Sequence, residues 1–281
     1  MIGFIRKSRW RYVLPNAVTA SGIFFGFLAV QEAIVGHPRG AAWWALYCVL
    51  ADKADGFVAR AVHATSEFGM QLDSLADFLS FGIAPAAIFY SFFATVPEAG
   101  WASGAPLFAL RCIVAGYVIC AASRLARFNV IADVKGGDKF FFGVPTTLTG
   151  GILGSLFLMG MKYAAAPLST RDPVVPYDFH PLARFHLEAG FTSFMRIFPI
   201  LIALGAIGMV STLRVPKFGK SKSTLLNIWF VGNVLFGYTF GLARMLPEWL
   251  SVCGVTYMIG TFAYHLMHEE ARAIQPPKLF T

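Results

Sequence analysis

Charge is scarce in this 281-residue chain: Asp, Glu, Lys and Arg make up 14% of it, against 57% for hydrophobic residues. Water-soluble domains carry ~25% charged and ~45–50% apolar residues, so a soluble enzyme is excluded. There is no low-complexity tract, and with 28 Phe the chain is neither disordered nor fibrous. Cysteine is sparse as well. Cys48, Cys112, Cys120 and Cys253 sit in apolar runs without ligand-like spacing, which argues against a disulfide framework or a zinc site and reads them as small buried hydrophobes. No polar stretch is long enough for a soluble domain. The longest, about 164–192, reads as a loop carrying Pro167, Pro173, Pro176 and Pro181. The composition that remains is that of an all-α polytopic membrane protein, and its net charge of +8 suits an anionic lipid surface rather than nucleic acid.

A helical span needs ~20 mostly apolar residues. That ruler gives eight stretches: 15–35, 41–62, 69–95, 105–130, 145–165, 193–213, 224–245 and 248–268. Ahead of them, Arg6, Lys7, Arg9 and Arg11 mix with Phe4, Ile5 and Trp10 in a segment (1–14) that is expected to lie in the interface as an amphipathic helix. The apolar run that follows is too long for the ~7–15-residue core of a signal peptide, so it is kept as the first span. With eight spans both termini share one side. That side collects fifteen Lys and Arg, chiefly at the N-terminus, around Arg124–Lys139 and at Arg214–Lys222; the other collects six. Positive residues mark the cytoplasmic side, so both termini are expected inside. Trp43, Trp44, Trp101 and Trp249 are expected as interface anchors. His265 and His268, beside Glu269 and Glu270, are expected as favourable cations at a helix C-terminus.

An ionisable residue within a span costs ~2.5–3.5 kcal/mol on insertion scales and is a functional candidate by default. Such residues cluster in the second and third spans. At ~100° per residue Asp52, Asp55, Gly56 and Ala59 share one helix face, and Gly69, Asp73, Asp77 and Ser80 share another. The short connection makes the two helices expected neighbours, with four carboxylates converging at one end. Lys53 and Arg60 could pair with some of them, but two bases do not balance four acids. An all-oxygen set with no His or Cys nearby favours Mg²⁺ or Mn²⁺, and two ions ~3.5–4 Å apart could share the carboxylates. Small residues at Gly56 and Ala59 leave room for a bulky guest such as a diphosphate. A cation or proton pathway is the rival reading; clustering at one end rather than at mid-membrane counts against it.

The pattern Asp52-x2-Asp55-Gly56-x2-Ala59-Arg60-x8-Gly69-x3-Asp73-x3-Asp77, eight fixed positions over 26 residues, resembles the signature of the CDP-alcohol phosphotransferases. The resemblance implies a six-helix catalytic core (15–213) followed by two further helices and a tail (214–281), and a homodimer. It implies transfer of a phosphoryl-linked unit from a CDP-lipid to an alcohol with release of CMP. Asp52, Asp55, Asp73 and Asp77 would be the metal ligands, Asp77 also the general base, and Asp52, Gly56, Ala59, Arg60 and Gly69 the CDP-lipid contacts.

The surroundings narrow the acceptor. Leu72–Ala86, Arg124-Leu125-Ala126-Arg127-Phe128-Asn129 and Leu14-Pro15-Asn16-Ala17-Val18-Thr19 are similar to segments of the membrane-bound phosphatidylserine synthases, a subgroup of that family. CDP-diacylglycerol and L-serine are then the expected substrates, in a bacterial inner membrane with the site facing the cytoplasm. Glycerol phosphate, an inositol phosphate or choline are the alternative acceptors. Serine's carboxylate needs a cation, so Arg124 and Arg127 are acceptor-site candidates, with Asn129 and Ser80 beside them. Basic residues also flank spans for topological reasons alone. After Phe142-Gly143-Val144-Pro145 the chain departs from the subgroup: Thr146-Thr147 stand where Ser-Pro is usual. Direct displacement and a covalent intermediate both remain open.

Overall fold

The computed structural model describes residues 12–62, 66–134, 140–163, 188–216 and 224–267. Most of the basic N-terminal segment lies outside them, as do His63, Lys135, Lys139 and His268. The helices are α1 (Val13–Val35), α2 (Pro38–Val62), α3 (Glu67–Asp77), α4 (Ala84–Thr95), α5 (Gly104–Val134), α6 (Thr146–Tyr163), α7 (Glu188–Val210), α8 (Thr224–Leu242) and α9 (Pro247–Met267). A π-helical segment, Phe78–Ile83, joins α3 to α4. Two short strands, β1 (Phe140–Phe142) and β2 (Arg214–Pro216), pair antiparallel with Phe141 opposite Val215. The chain is thus an all-α membrane protein with one small ribbon at the acidic end of the bundle.

A helix stands on each of the eight apolar stretches. Five segments are long and apolar enough to cross a bilayer: Val13–Val35, Glu67–Thr95, Gly104–Val130, Ser193–Val210 and Pro247–Met267. Among the described residues α8 adds a shorter apolar stretch, Val231–Leu242, and the other two helices are set apart by what they carry or touch. α2 carries the acidic cluster. α6 is enclosed, packing on α2, α7 and α9, and its buried residues include Thr146, Thr147, Thr149, Gly150, Gly154 and Ser155, small or weakly polar groups that tight helix contacts tolerate. Outward faces are apolar, with Phe24, Phe27, Phe108, Ile119, Leu204 and Ile207 each more than half exposed. In water such a surface would aggregate; against lipid it is the expected one.

The core away from the acids is aromatic. Phe89, Phe92, Phe93, Phe157 and Phe198, from α4, α6 and α7, are almost wholly buried. Their rings meet at centroid distances such as 5.0 Å for Phe92–Phe157 and 5.4 Å for Phe89–Phe198. Trp43 is 3% exposed, so it belongs to this core and not to an interface belt. Among the cysteines only Cys48 is buried; Cys112 faces outward, contrary to expectation.

The π-helical segment has a local cause. Pro85 lacks the N–H that an α-helix would direct at the Phe81 carbonyl, and that carbonyl instead accepts a 2.8 Å hydrogen bond from the Tyr117 hydroxyl. One residue earlier, the Ala84 N–H reaches back five positions to the Leu79 carbonyl. The wider turn lies directly after Asp77, so it sets the phase between the acids and everything beyond them.

Candidate active site

The α2 acids and Asp73 meet at one end of the bundle, and α1 holds them there. The close packing of this region is α1 on α2 and α1 on α3 rather than α2 on α3. α3 starts cleanly because Ser66 caps it, accepting a 3.0 Å hydrogen bond from the Gly69 N–H. The fit at Gly69 is tight: a β-carbon there would lie 3.1 Å from Ser66 Oγ and 3.3 Å from Asn16 Oδ1 of α1, so both side chains would have to give slightly.

Asp52, Asp55 and Asp73 each place a carboxylate oxygen within 4.8 Å of the others. Two like charges at that spacing repel by roughly 3–4 kcal/mol at an effective dielectric constant of ~20. Lys53, whose side chain is 65% exposed, pairs with Asp52 at 3.2 Å. That one solvated ammonium does not offset three carboxylates. Thr19 of α1 donates a hydrogen bond to Asp55 Oδ2 at 2.8 Å. Asp77, one helical turn beyond Asp73, lies in the field of Asp52, Asp73 and Arg124. The donor set is all oxygen and the net charge unbalanced, which fits a hard divalent cation.

The glycine and alanine face of α2 is open. A β-carbon at Gly56 would meet nothing but the Arg60 guanidinium, 3.4 Å away, at the end of a flexible, exposed side chain. Ala59 is part-exposed. A flat or bulky group can approach this stretch once Arg60 moves aside.

The residues beyond the signature separate into two groups. Arg124 is 6% exposed. Its Nη1 donates to the Thr146 hydroxyl at 3.4 Å, and its guanidinium lies 5.2 Å from the centre of the Phe128 ring. Asp77 is the charge that acts on it most strongly, with Asp52 and Asp73 also contributing, yet among the described residues no ion pair joins it to an acid. Thr146, half of the pair that departs from the usual sequence, therefore touches the arginine that faces the acids.

Arg127 is engaged elsewhere. Its Nη2 donates to the carbonyls of Phe142 and Met209 at 2.7 and 3.0 Å, and its Nη1 to Val210 at 3.0 Å. It caps the C-terminus of α7, where backbone carbonyls lack partners and a cation is favoured. Asn129 is not at a helix end, because α5 continues to Val134; it accepts a 3.1 Å hydrogen bond from Ser74, the neighbour of Asp73. Ser80 is buried in the π-helical turn and donates to the Gly22 carbonyl of α1 at 3.2 Å, a link between helices rather than to its own preceding turn. Thr19, which reaches Asp55, and Tyr238, which reaches the Leu50 carbonyl two residues before Asp52, come from other helices without any spacing signal that marks them in the sequence.

Comparisons with known proteins bear on this geometry. The family model described as CDP-alcohol phosphatidyltransferase matches residues 12–171. A CDP-diacylglycerol–serine O-phosphatidyltransferase of Helicobacter pylori is 31% identical over 215 residues, 76% of this chain and 76% of that protein. One of the same name from Saccharomyces cerevisiae is 30% identical over 221 residues, 73% of this chain and 70% of the relative. An archaetidylserine synthase of Methanothermobacter thermautotrophicus is 34% identical over 154 residues, 52% of this chain and 58% of the relative.

Proposed function

The chain belongs to the CDP-alcohol phosphatidyltransferase family, and on that premise we propose that it transfers the phosphatidyl group of CDP-diacylglycerol to L-serine, giving phosphatidylserine and CMP. The observation that carries the reading is the convergence of Asp52, Asp55 and Asp73 within 4.8 Å, with buried Arg124 beside them. The serine-named relatives in bacteria and yeast support the acceptor.

Asp52, Asp55, Asp73 and Asp77 would hold Mg²⁺ or Mn²⁺, two ions if carboxylates bridge them. Such ions, when bound, offset negative charge on the diphosphate and on departing CMP. The chain's own groups do the rest. Gly56 and Ala59 leave the α2 face low enough for the nucleotide, with Gly69 keeping α3 close to α1, and Arg60 is free to swing onto a phosphate. Arg124 receives the serine carboxylate, since its buried guanidinium, which has no ion pair among the described residues, offers a planar fork of donors that matches a carboxylate. Asp77 accepts the proton of the serine hydroxyl as its oxygen forms a bond to phosphorus and the bond from phosphorus to the CMP oxygen breaks. Arg127 serves this reading as a structural clamp, and Asn129 and Ser80 as supports for α3 and the turn beyond it.

The architecture proposed with this function is eight transmembrane helices, a core of six (15–213) plus two (214–281). Both termini and the site face the cytoplasm of a bacterial inner membrane, and the assembly is a homodimer. The test is CMP release by detergent-purified protein given CDP-diacylglycerol and Mn²⁺, with each alcohol added in turn. Release that requires L-serine is the expected result. Release stimulated by glycerol phosphate, an inositol phosphate or choline instead would change the acceptor, and metal-dependent ion flux without CMP would replace the enzyme by a transporter.

A further inference from the structure

Tyr238 belongs to α8, outside the acidic signature and outside residues 12–171 matched by the family model, yet it reaches the helix that carries Asp52 and Asp55. Its hydroxyl donates a 2.8 Å hydrogen bond to the Leu50 carbonyl. In an α-helix that carbonyl also accepts from the N–H four residues on, at Ala54, between the two acids. The phenol lies in the electrostatic field of both Asp52 and Asp55. α8 touches the same residue a second time, since a β-carbon on Gly241 would stand 3.4 Å from Leu50 Cδ1.

Further contacts keep this pair of helices together. The Tyr47 hydroxyl donates to the Leu242 carbonyl at 3.0 Å and accepts from Arg244 Nε at 3.1 Å. The Arg244 guanidinium lies 5.3 Å from the Trp44 ring centre. The stretch of α2 that follows needs such support. It carries two acids that repel each other, and then Gly56, which weakens a helix by about 1 kcal/mol relative to alanine. α1 holds this stretch on one side through Thr19 and Asp55, and α8 adds a hold on the turn just before Asp52.

We propose that Tyr238 is a positioning residue, fixing the Leu50–Ala54 turn so that Asp52 and Asp55 offer their carboxylates to a divalent cation in one arrangement. The inference rests on the metal site of the preceding subsection. It assigns to the C-terminal helices a part in the site that the six-helix core does not supply.

The test is Mn²⁺ binding by the full-length detergent-purified protein without substrates, read from the EPR signal of free Mn²⁺, in the unaltered chain, Tyr238→Phe and Tyr47→Phe. Phenylalanine keeps the ring and removes only the hydroxyl, and thermal midpoints without metal check folding. Tyr238→Phe is expected to weaken Mn²⁺ binding about tenfold, the lower end of what loss of an outer hydrogen bond around metal ligands costs. Tyr47→Phe is expected to lower the thermal midpoint while leaving Mn²⁺ affinity as it was. Unchanged affinity in Tyr238→Phe would overturn the proposal, as would equal weakening in both variants, which is the mark of general loosening. If the unaltered chain binds no Mn²⁺, the metal reading itself falls and takes the proposal with it.

Discussion

The Thr19 hydroxyl donates a 2.8 Å hydrogen bond to Oδ2 of Asp55, linking the first helix to the second, with both residues buried. A hydrogen bond to a charged group is worth ~1.5–3 kcal/mol, and here it also selects one carboxylate orientation. Thr19→Val keeps the shape and removes the donor. It is expected to raise the Mn²⁺ concentration for half-maximal CMP release by about tenfold, the range for an outer-shell hydrogen bond, while Thr19→Ser retains most of the original value. Equal behaviour of the valine and serine variants would show that the hydroxyl has no such role.

This contact also marks how far the sequence could be read. The spacing of Asp52, Asp55, Asp73 and Asp77 was legible because helical periodicity alone puts them on two faces, and the positions of all eight apolar stretches followed from hydropathy. Thr19 and Tyr238 were not legible as neighbours of the acids. Each reaches them from another helix, and no periodic rule connects residues 36 positions apart in the chain, as Thr19 and Asp55 are. Arg124 and Arg127 look alike in the sequence, three residues apart on one helix. Only the packing of α6 and α7 shows that one faces the acids and the other grips backbone carbonyls. The π-helical turn was hidden too, although Pro85 was its visible cause; the freed Phe81 carbonyl needed Tyr117 from another helix to make it stable.

Asp73→Asn separates the site's function from its stability. It removes one of three crowded carboxylates, so repulsion falls and the thermal midpoint of metal-free protein is expected to rise. The same change removes a proposed ligand. Saturating Mn²⁺ should stabilise the unaltered protein, by about 2.7 kcal/mol at a hundred times Kd, and leave the variant unmoved, with CMP release abolished. A variant that is less stable without metal would contradict the crowding account, and one still stabilised by Mn²⁺ would contradict the ligand role of Asp73.

The two arginines should part in kinetics. Arg124→Lys replaces a planar fork by a point charge at a buried position, and is expected to raise KM for serine at least tenfold, equivalent to ~1.4 kcal/mol, with KM for CDP-diacylglycerol little changed. Arg127→Gln should do the reverse, leaving KM for serine alone and lowering the thermal midpoint, because three carbonyls lose their donor. Gly143→Ala tests the same clamp from the other side. Gly143 has φ of +76° and a β-carbon there would stand 2.5 Å from Arg127 Nη2. Backbone strain of that kind costs ~1–3 kcal/mol before the displaced hydrogen bonds are added. A serine-specific defect in Arg127→Gln would return that residue to the acceptor pocket.

The turn beyond Asp77 offers a test by double-mutant cycle. Tyr117→Phe alone leaves the buried Phe81 carbonyl without its 2.8 Å partner, at a cost of ~1–3 kcal/mol. Pro85→Ala alone restores an N–H four residues after Phe81 and lets the chain close an ordinary α-helical turn, which changes the phase between Asp77 and Ser80. In the double variant the alanine N–H takes over the carbonyl that Tyr117 served. The loss from Tyr117→Phe should therefore be smaller in the Pro85→Ala background, with a coupling of about 1 kcal/mol, within the range for residues sharing one hydrogen-bond acceptor. Activity should separate from this stability effect. Pro85→Ala rotates α4 and the Ser80 contact to Gly22 relative to the acids, so CMP release should fall even where the thermal midpoint is recovered. Additive stability changes would mean that Pro85 and Tyr117 act independently, and that the π-helical turn has some other origin.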